Sequence, residues 1–164
     1  MIFSQGLDNP IGLAKVPRGG PSPRKTDALP DVLELMRKSP FHRTWSQGDI
    51  KRLIIPPIQL GQFYLLHDDN DGKPDGFVTW AFLTPEAAKG YIDKTRKIQP
   101  EDWNAGDDLW VIDMVTPHGN MKVLRAEFVR RARKDKLPLP GKYIRRSKGR
   151  NVVYKTESLV DDDD

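Results

Sequence analysis

Apolar positions set the segmentation of this chain. Leu29, Val32, Leu33, Leu35 and Met36 recur at near-helical spacing and stop at Ser39-Pro40. They predict a first helix over about Asp27–Lys38, capped by Thr26 or Asp27. Ser46–Ile55 begins with a capping residue, carries Ile50, Leu53, Ile54 and Ile55, and predicts a second short helix stopped by Pro56-Pro57. Gln62–His67 and Gly76–Leu83 flank a turn-rich Asp/Asn/Gly segment and predict an antiparallel hairpin. Thr84-Pro85-Glu86 opens a helix to about Lys94. Leu109–Val115 is the most apolar run and predicts a central strand. A helix over Met121–Asp135, with Val123, Leu124, Phe128 and Val129 inward, ends before Leu137-Pro138-Leu139-Pro140-Gly141. Tyr143–Ser147 and Asn151–Lys155 predict a closing hairpin around Lys148-Gly149. The order ααββαβαββ places the chain in the mixed α/β (α+β) class, with a mainly antiparallel sheet flanked by helices.

The ends differ from this middle. Residues 1–25 hold four glycines and four prolines, a composition that buries too little apolar surface to offset its ordering entropy, so a flexible tail is expected. The folded domain is expected over 26–157, followed by an acidic disordered tail over 158–164. At 164 residues the chain is the size of one domain. Without cysteine there is no disulfide, thiolate metal site or cysteine nucleophile. The three histidines, His42, His67 and His118, have no ligand spacing, so no metal is expected. Asp69, Asp71 and Gly72 echo a calcium loop but lack its twelfth-position glutamate and flanking helices. No apolar run approaches the roughly 20 residues of a membrane span, and no secretory signal begins the chain, so a cytoplasmic protein is expected.

Charge is uneven. Lys122–Lys155 carries thirteen Lys and Arg against Glu127 and Asp135, a local surplus of eleven within a net charge of +4. This suits an anionic partner, and charge alone does not choose among nucleic acid, a phosphate-bearing cofactor, an acidic protein and a membrane surface.

Two residues stand out chemically. His42 lies just past the first helix in Ser39-Pro40-Phe41-His42-Arg43-Thr44-Trp45, and a histidine, with an ordinary pKa of about 6.5, exchanges protons near neutrality. Asp113 interrupts the apolar strand, where a carboxylate needs a partner. A buried carboxylate accepting an imidazole N–H would fix its tautomer and raise its basicity, although 71 residues separate the two. There is no phosphate-binding P-loop, GxGxxG or GxSxG. Arg146–Asn151 only partly echoes the pyrophosphate loop of acetyl-coenzyme A enzymes, lacking its final small residue and preceding a strand.

The landmarks resemble those of the RTX toxin-activating lysine acyltransferases, the hemolysin-activating acyltransferases. Ser39–Trp45 resembles the family's Ser-Pro-Leu-His-Arg-x-Trp. Gln62–Leu66 and Val78–Ala81 resemble the hairpin that follows. Glu101-Asp102-Trp103-Asn104-Ala105-Gly106-Asp107 with Leu109–Asp113 resembles Glu-Asp-Trp-x-x-Gly-Asp and Trp-x-Ile-Asp, and Pro117-His118-Gly119 stands at its Pro-x-Gly. The resemblance covers about Val32–Lys155. It implies a GNAT-like acyltransferase fold and transfer of a fatty acyl group from acyl carrier protein to a lysine side chain of a protein, such as an RTX-type protoxin. It implies His42 and Asp113 as catalytic residues, with His42 as general base or transient acyl carrier, and Ser39 and Trp45 as site-shaping residues. No bound cofactor is implied, acyl carrier protein being donor and partner; nucleic acid is not the expected partner, and a homodimer is one open assembly. Met114 stands where the family often has Trp, and Arg52 where many members have a small polar residue, which leaves acyl length and acceptor open. Two other readings compete: a non-catalytic binding module for nucleic acid or acidic protein, and an acetyl-coenzyme A-dependent GNAT enzyme.

Overall fold

The protein is seen in a computed structural model that describes residues 25–161; of the tails expected over 1–25 and 158–164, residues 1–24 and 162–164 lie outside the described residues. Helix α1 (Lys25–Lys38) buries Ala28, Val32, Leu35 and Met36, a stripe at i, i+4, i+7 and i+8. After a 3-10 turn at His42–Thr44 comes α2 (Gln47–Leu53), entered through a reciprocal cap in which Ser46 Oγ accepts from the Asp49 amide and Asp49 accepts from the Ser46 amide. The Ser46 amide and hydroxyl, with Arg52, hold the Asp49 carboxyl below its ordinary range.

Pro56 and Pro57 do not stop the second helical segment as the sequence suggests. They lie in the first turn of a further helix, α3 (Ile55–Leu60), where backbone amides have no partner within the helix and a missing N–H costs nothing. Gly61 ends α3 at φ 71°.

Strands β1 (Phe63–His67), β2 (Pro74–Leu83), β3 (Asp108–Val115), β4 (Lys142–Ser147) and β5 (Arg150–Lys155) form one sheet in the order β1-β2-β3-β4-β5. Helix α4 (Pro85–Asp93) joins β2 to β3 through a 3-10 turn at Pro100–Asp102, and α5 (Met121–Lys134) joins β3 to β4. All neighbours pair antiparallel except β3 and β4, whose parallel pairing needs the crossover that α5 supplies. That pairing is confined to Trp110–Lys142 and Val111–Tyr143, so the lower half of β3, from Ile112 on, leaves β4 behind.

Alternation sends the strands' apolar residues to two faces. On one, Tyr64, Val78, Trp80, Phe82, Leu109 and Val111 meet Leu124, Phe128, Val129 and Ala132 of α5. On the other, Phe63, Leu65, Phe77 and Val115 meet α1 and α3, while Ala81, Leu83 and Trp110 meet Ala87, Ala88 and Trp103. The tail expected from 158 starts instead as a short helix, α6 (Ser158–Asp161). Burying Leu159 in the α5-side core, with a 2.7 Å bond between Ser158 Oγ and Tyr143 Oη, offsets the cost of ordering it. Among the described residues no helix is long and apolar enough to cross a membrane.

On α5, Glu127 accepts from Arg130 at 2.6 Å and Arg131 at 2.7 Å, and these guanidinium groups hold its carboxyl down to about 2 from an ordinary 4.5. A depressed folded-state pKa contributes stability above about pH 4.5 that disappears as pH falls through 2. Arg130 is 62% exposed, and solvent screening cuts the contribution to about 1 kcal/mol. Glu127→Gln is therefore expected to lower stability by about that much in urea melts at pH 7 and by nothing measurable near pH 2. An equal loss at both pH values would show that the carboxylate charge is not the cause.

Candidate active site

The loop after α1 is wound tightly. The Ser39 amide donates to Met36 O at 3.0 Å, the Arg43 amide to Ser39 O at 2.9 Å and the Trp45 amide to His42 O at 3.0 Å. This winding turns the His42 ring inward, 7% exposed, and the Phe41 ring outward, 70% exposed. Trp45 lies against the imidazole with ring centroids 4.7 Å apart, and Phe41 meets it edge-on at 5.0 Å.

Asp113 reaches His42 because β3 is bulged. Thr79 pairs with Asp113 but its neighbour Trp80 pairs with Val111, which leaves Ile112 as the extra residue. Strict alternation would put Asp113 on the face of Leu109 and Val111, against α5. The bulge shifts the phase by one, so Ile112 and Asp113 both face the α1 side and Met114 packs against the α5-side core.

The result is a chain of three groups. His42 Nε2 is 2.7 Å from Asp113 Oδ2, and His42 Nδ1 is 2.7 Å from Ser39 Oγ. An ionised carboxylate only accepts, so Nε2 of the neutral ring carries the proton and Nδ1 accepts the Ser39 hydroxyl. The structure thus brings together all four residues singled out in the sequence: Ser39, His42, Trp45 and Asp113.

Asp113, with 19% of its side chain exposed, forms part of the wall of a cleft of about 390 Å³. Phe41, Trp45, Leu53, Tyr91, Ile98 and Ile112 give the cleft its apolar lining, and Arg52, Lys94, Arg96 and Lys97 surround them. Its size falls in the range of small-ligand pockets. Tyr91, half-buried at the end of α4, meets Trp110 edge-on at 6.2 Å. Burial chiefly, and the Asp113 charge, push its phenol up to about 12, so it remains an O–H donor at neutral pH. Arg52 is a strut as well as lining: it donates to Asp49 at 2.7 Å and Ile98 O at 3.1 Å, and its own carbonyl accepts from Trp103 Nε1 at 2.7 Å.

Tyr91 and the Lys94–Ile98 segment are not marked by the sequence.

The sequence matches the HlyC description, the RTX toxin acyltransferase family, over residues 22–156. The chain is 38% identical over 98 residues to the RTX-II toxin-activating lysine-acyltransferase ApxIIC of Actinobacillus pleuropneumoniae, covering 60% of this chain and 60% of that protein. It is 39% identical over 93 residues to the leukotoxin-activating lysine-acyltransferase LtxC of Aggregatibacter actinomycetemcomitans, covering 57% and 54%. To the protein-lysine palmitoyltransferase CyaC of Bordetella bronchiseptica it is 33% identical over 90 residues, covering 55% and 48%. The chain therefore spans about half to three-fifths of the length of these relatives. With the family match extending from before α1 to the end of β5, the chain belongs to the RTX toxin acyltransferase family.

Proposed function

We propose that this protein is a protein-lysine acyltransferase that moves a fatty acyl group from acyl carrier protein to a lysine side chain of a protein acceptor, with His42 and Asp113 as its catalytic pair. The observation that carries this reading is the 2.7 Å contact between His42 Nε2 and Asp113 Oδ2 beside an apolar cleft. Family membership supports the reaction class, since the relatives are toxin-activating lysine acyltransferases and a protein-lysine palmitoyltransferase. An RTX-type protoxin is the acceptor that those names suggest.

The reaction joins a lysine amine to a thioester carbonyl and releases a thiol, so a proton must leave the amine. Asp113 holds the imidazole through Nε2 and stabilises its cation, as a carboxylate does in a hydrolase triad. The proton is then accepted at Nδ1, through the Ser39 hydroxyl or in its place. This makes His42 the general base and Ser39 its positioning partner. The cleft's apolar lining takes the acyl chain. The basic Lys122–Lys155 region suits an acidic carrier protein, whose complementary charge speeds encounter and makes it salt-sensitive. The mixed sheet with its crossover helix fits a GNAT-like fold in which the donor is carrier-linked.

The test is to incubate the protein with fatty-acyl carrier protein and a lysine-bearing acceptor, then weigh the acceptor intact and map the site. The acceptor is expected to gain one acyl group on a lysine Nε. A folded protein that leaves the acceptor unchanged with carrier-linked and coenzyme A-linked donors would overturn the reading.

A further inference from the structure

The cleft has two chemically different parts. Its apolar lining and Asp113 account for an acyl chain and a reacting centre, but not for four cationic side chains around it. Two of these are already committed. Arg96 donates to both oxygens of Asp102 at 2.7 and 2.8 Å, and Arg52 is tied to Asp49 and to Ile98 O. For the Lys94 and Lys97 ammonium groups, no hydrogen bond or ion pair is found among the described residues, and both residues are exposed.

The segment holding these lysines is built, not loose. Asp102 also accepts from the Gln99 amide at 2.7 Å, and the Arg96 stem covers Gly90, where an added Cβ would lie 2.5 Å from Arg96 Cβ. The Thr95 amide donates to Gly90 O at 3.0 Å. Lys94 caps α4 at φ 60°, a left-handed conformation that costs a lysine more than a glycine. Arg96 therefore serves as the anchor that presents Lys94 and Lys97 at the cleft while its own charge is neutralised.

We propose that Lys94 and Lys97 form an anion subsite for the phosphodiester of the arm that carries the acyl thioester. The proposal rests on the reading of a carrier-linked donor, whose acyl group hangs on a phosphopantetheine arm. A cleft of about 390 Å³ suits one flexible arm with its chain better than a folded acceptor surface. An apolar lining with a cationic rim matches a ligand that is apolar at one end and a phosphodiester at the other. Lysine binds phosphate as a mobile point charge, without the fixed fork of arginine.

The test compares two small donors, acyl-pantetheine and acyl-4′-phosphopantetheine, which differ only in the phosphate. The wild-type protein is expected to use the phosphorylated donor with about tenfold lower KM, the worth of one charge-assisted contact. Lys94→Ala/Lys97→Ala is expected to bring the two donors to within about twofold of each other in KM. Equal use of both donors by the wild type, or a preference retained in the double variant, would overturn the proposal. So would a double variant that raises the KM for acceptor and not for donor, which would assign the rim to an acidic acceptor segment. Titrating the protein with unacylated phosphopantetheine and pantetheine by isothermal calorimetry gives the same comparison without turnover. If no acyl transfer occurs from any donor but phosphopantetheine still binds through the two lysines, the transferase reading fails and the anion subsite stands.

Discussion

Asp113→Asn is expected to lower acyl transfer by about 10²–10⁴-fold while leaving the fold in place. The amide has the size of the carboxylate, so packing at the bulge is retained. What it removes is the charge 2.7 Å from Nε2, which in the proposed mechanism would stabilise the imidazolium formed as His42 takes the amine's proton. If the amide turns its NH₂ toward the ring, it also favours the tautomer with the proton on Nδ1, where the base should be free. The loss should fall on kcat, because Asp113 is asked to stabilise a charge that develops only during the reaction. Single-turnover transfer to acceptor, followed by mass spectrometry, measures it beside a thermal melt. A near-normal kcat would remove Asp113 from the chemistry.

The second large effect is on stability. Trp103→Ala is expected to destabilise the protein by about 3–5 kcal/mol, enough to lower Tm by roughly 10 °C in a chain of this size. Trp103 is fully buried against Leu60, Leu83 and Trp110, so truncation leaves a large cavity. Its Nε1 donates to Arg52 O at 2.7 Å, and its carbonyl accepts from the Phe82 amide at 2.8 Å and from Gln62 Nε2 at 2.9 Å. Trp103 thereby ties the end of α2, which lines the cleft, to the middle of the sheet. Trp103→Phe keeps most of the volume and loses the Nε1 bond, so about 1–2 kcal/mol is expected. Calorimetry of both variants checks the ordering; equal losses would mean that the hydrogen bond, not the packing, dominates.

Much of the fold is legible along the chain because burial imposes its period. The stripe of α1, the hairpin of β1 and β2, the apolar run of β3 and the inward Leu124, Phe128 and Val129 of α5 lie where the apolar spacing puts them, whereas Val123, expected inward, is 56% exposed because it lies off the helix face that Leu124, Phe128 and Ala132 bury. What is hidden depends on context. Pro56 and Pro57 read as a stop because proline lacks an N–H, yet that loss is immaterial in the first turn of α3. Leu159 and Val160 are a lone apolar pair before a run of aspartates, and the burial of Leu159 in the α5-side core, which their order in the chain does not reveal, favours α6.

The site was legible in its residues and not in its geometry. His42 stands out by type, and Asp113 because a carboxylate in an apolar strand demands a partner. Nothing in the sequence marks Ile112 as a bulge, and the bulge decides which face Asp113 takes. Tyr91, Lys94 and Lys97 reach the same cleft from a segment with no motif, since a cleft is assembled by tertiary contacts between α2, α4 and β3.

The proposed function rests on the His42–Asp113 pair performing lysine acylation. It is tested most directly by repeating the acceptor-mass measurement with His42→Ala beside the wild type, with carrier-linked fatty acyl donor in excess. The wild type should convert the acceptor lysine fully, while a folded His42→Ala protein should leave the acceptor mass unchanged. Full conversion by that folded variant would contradict the account.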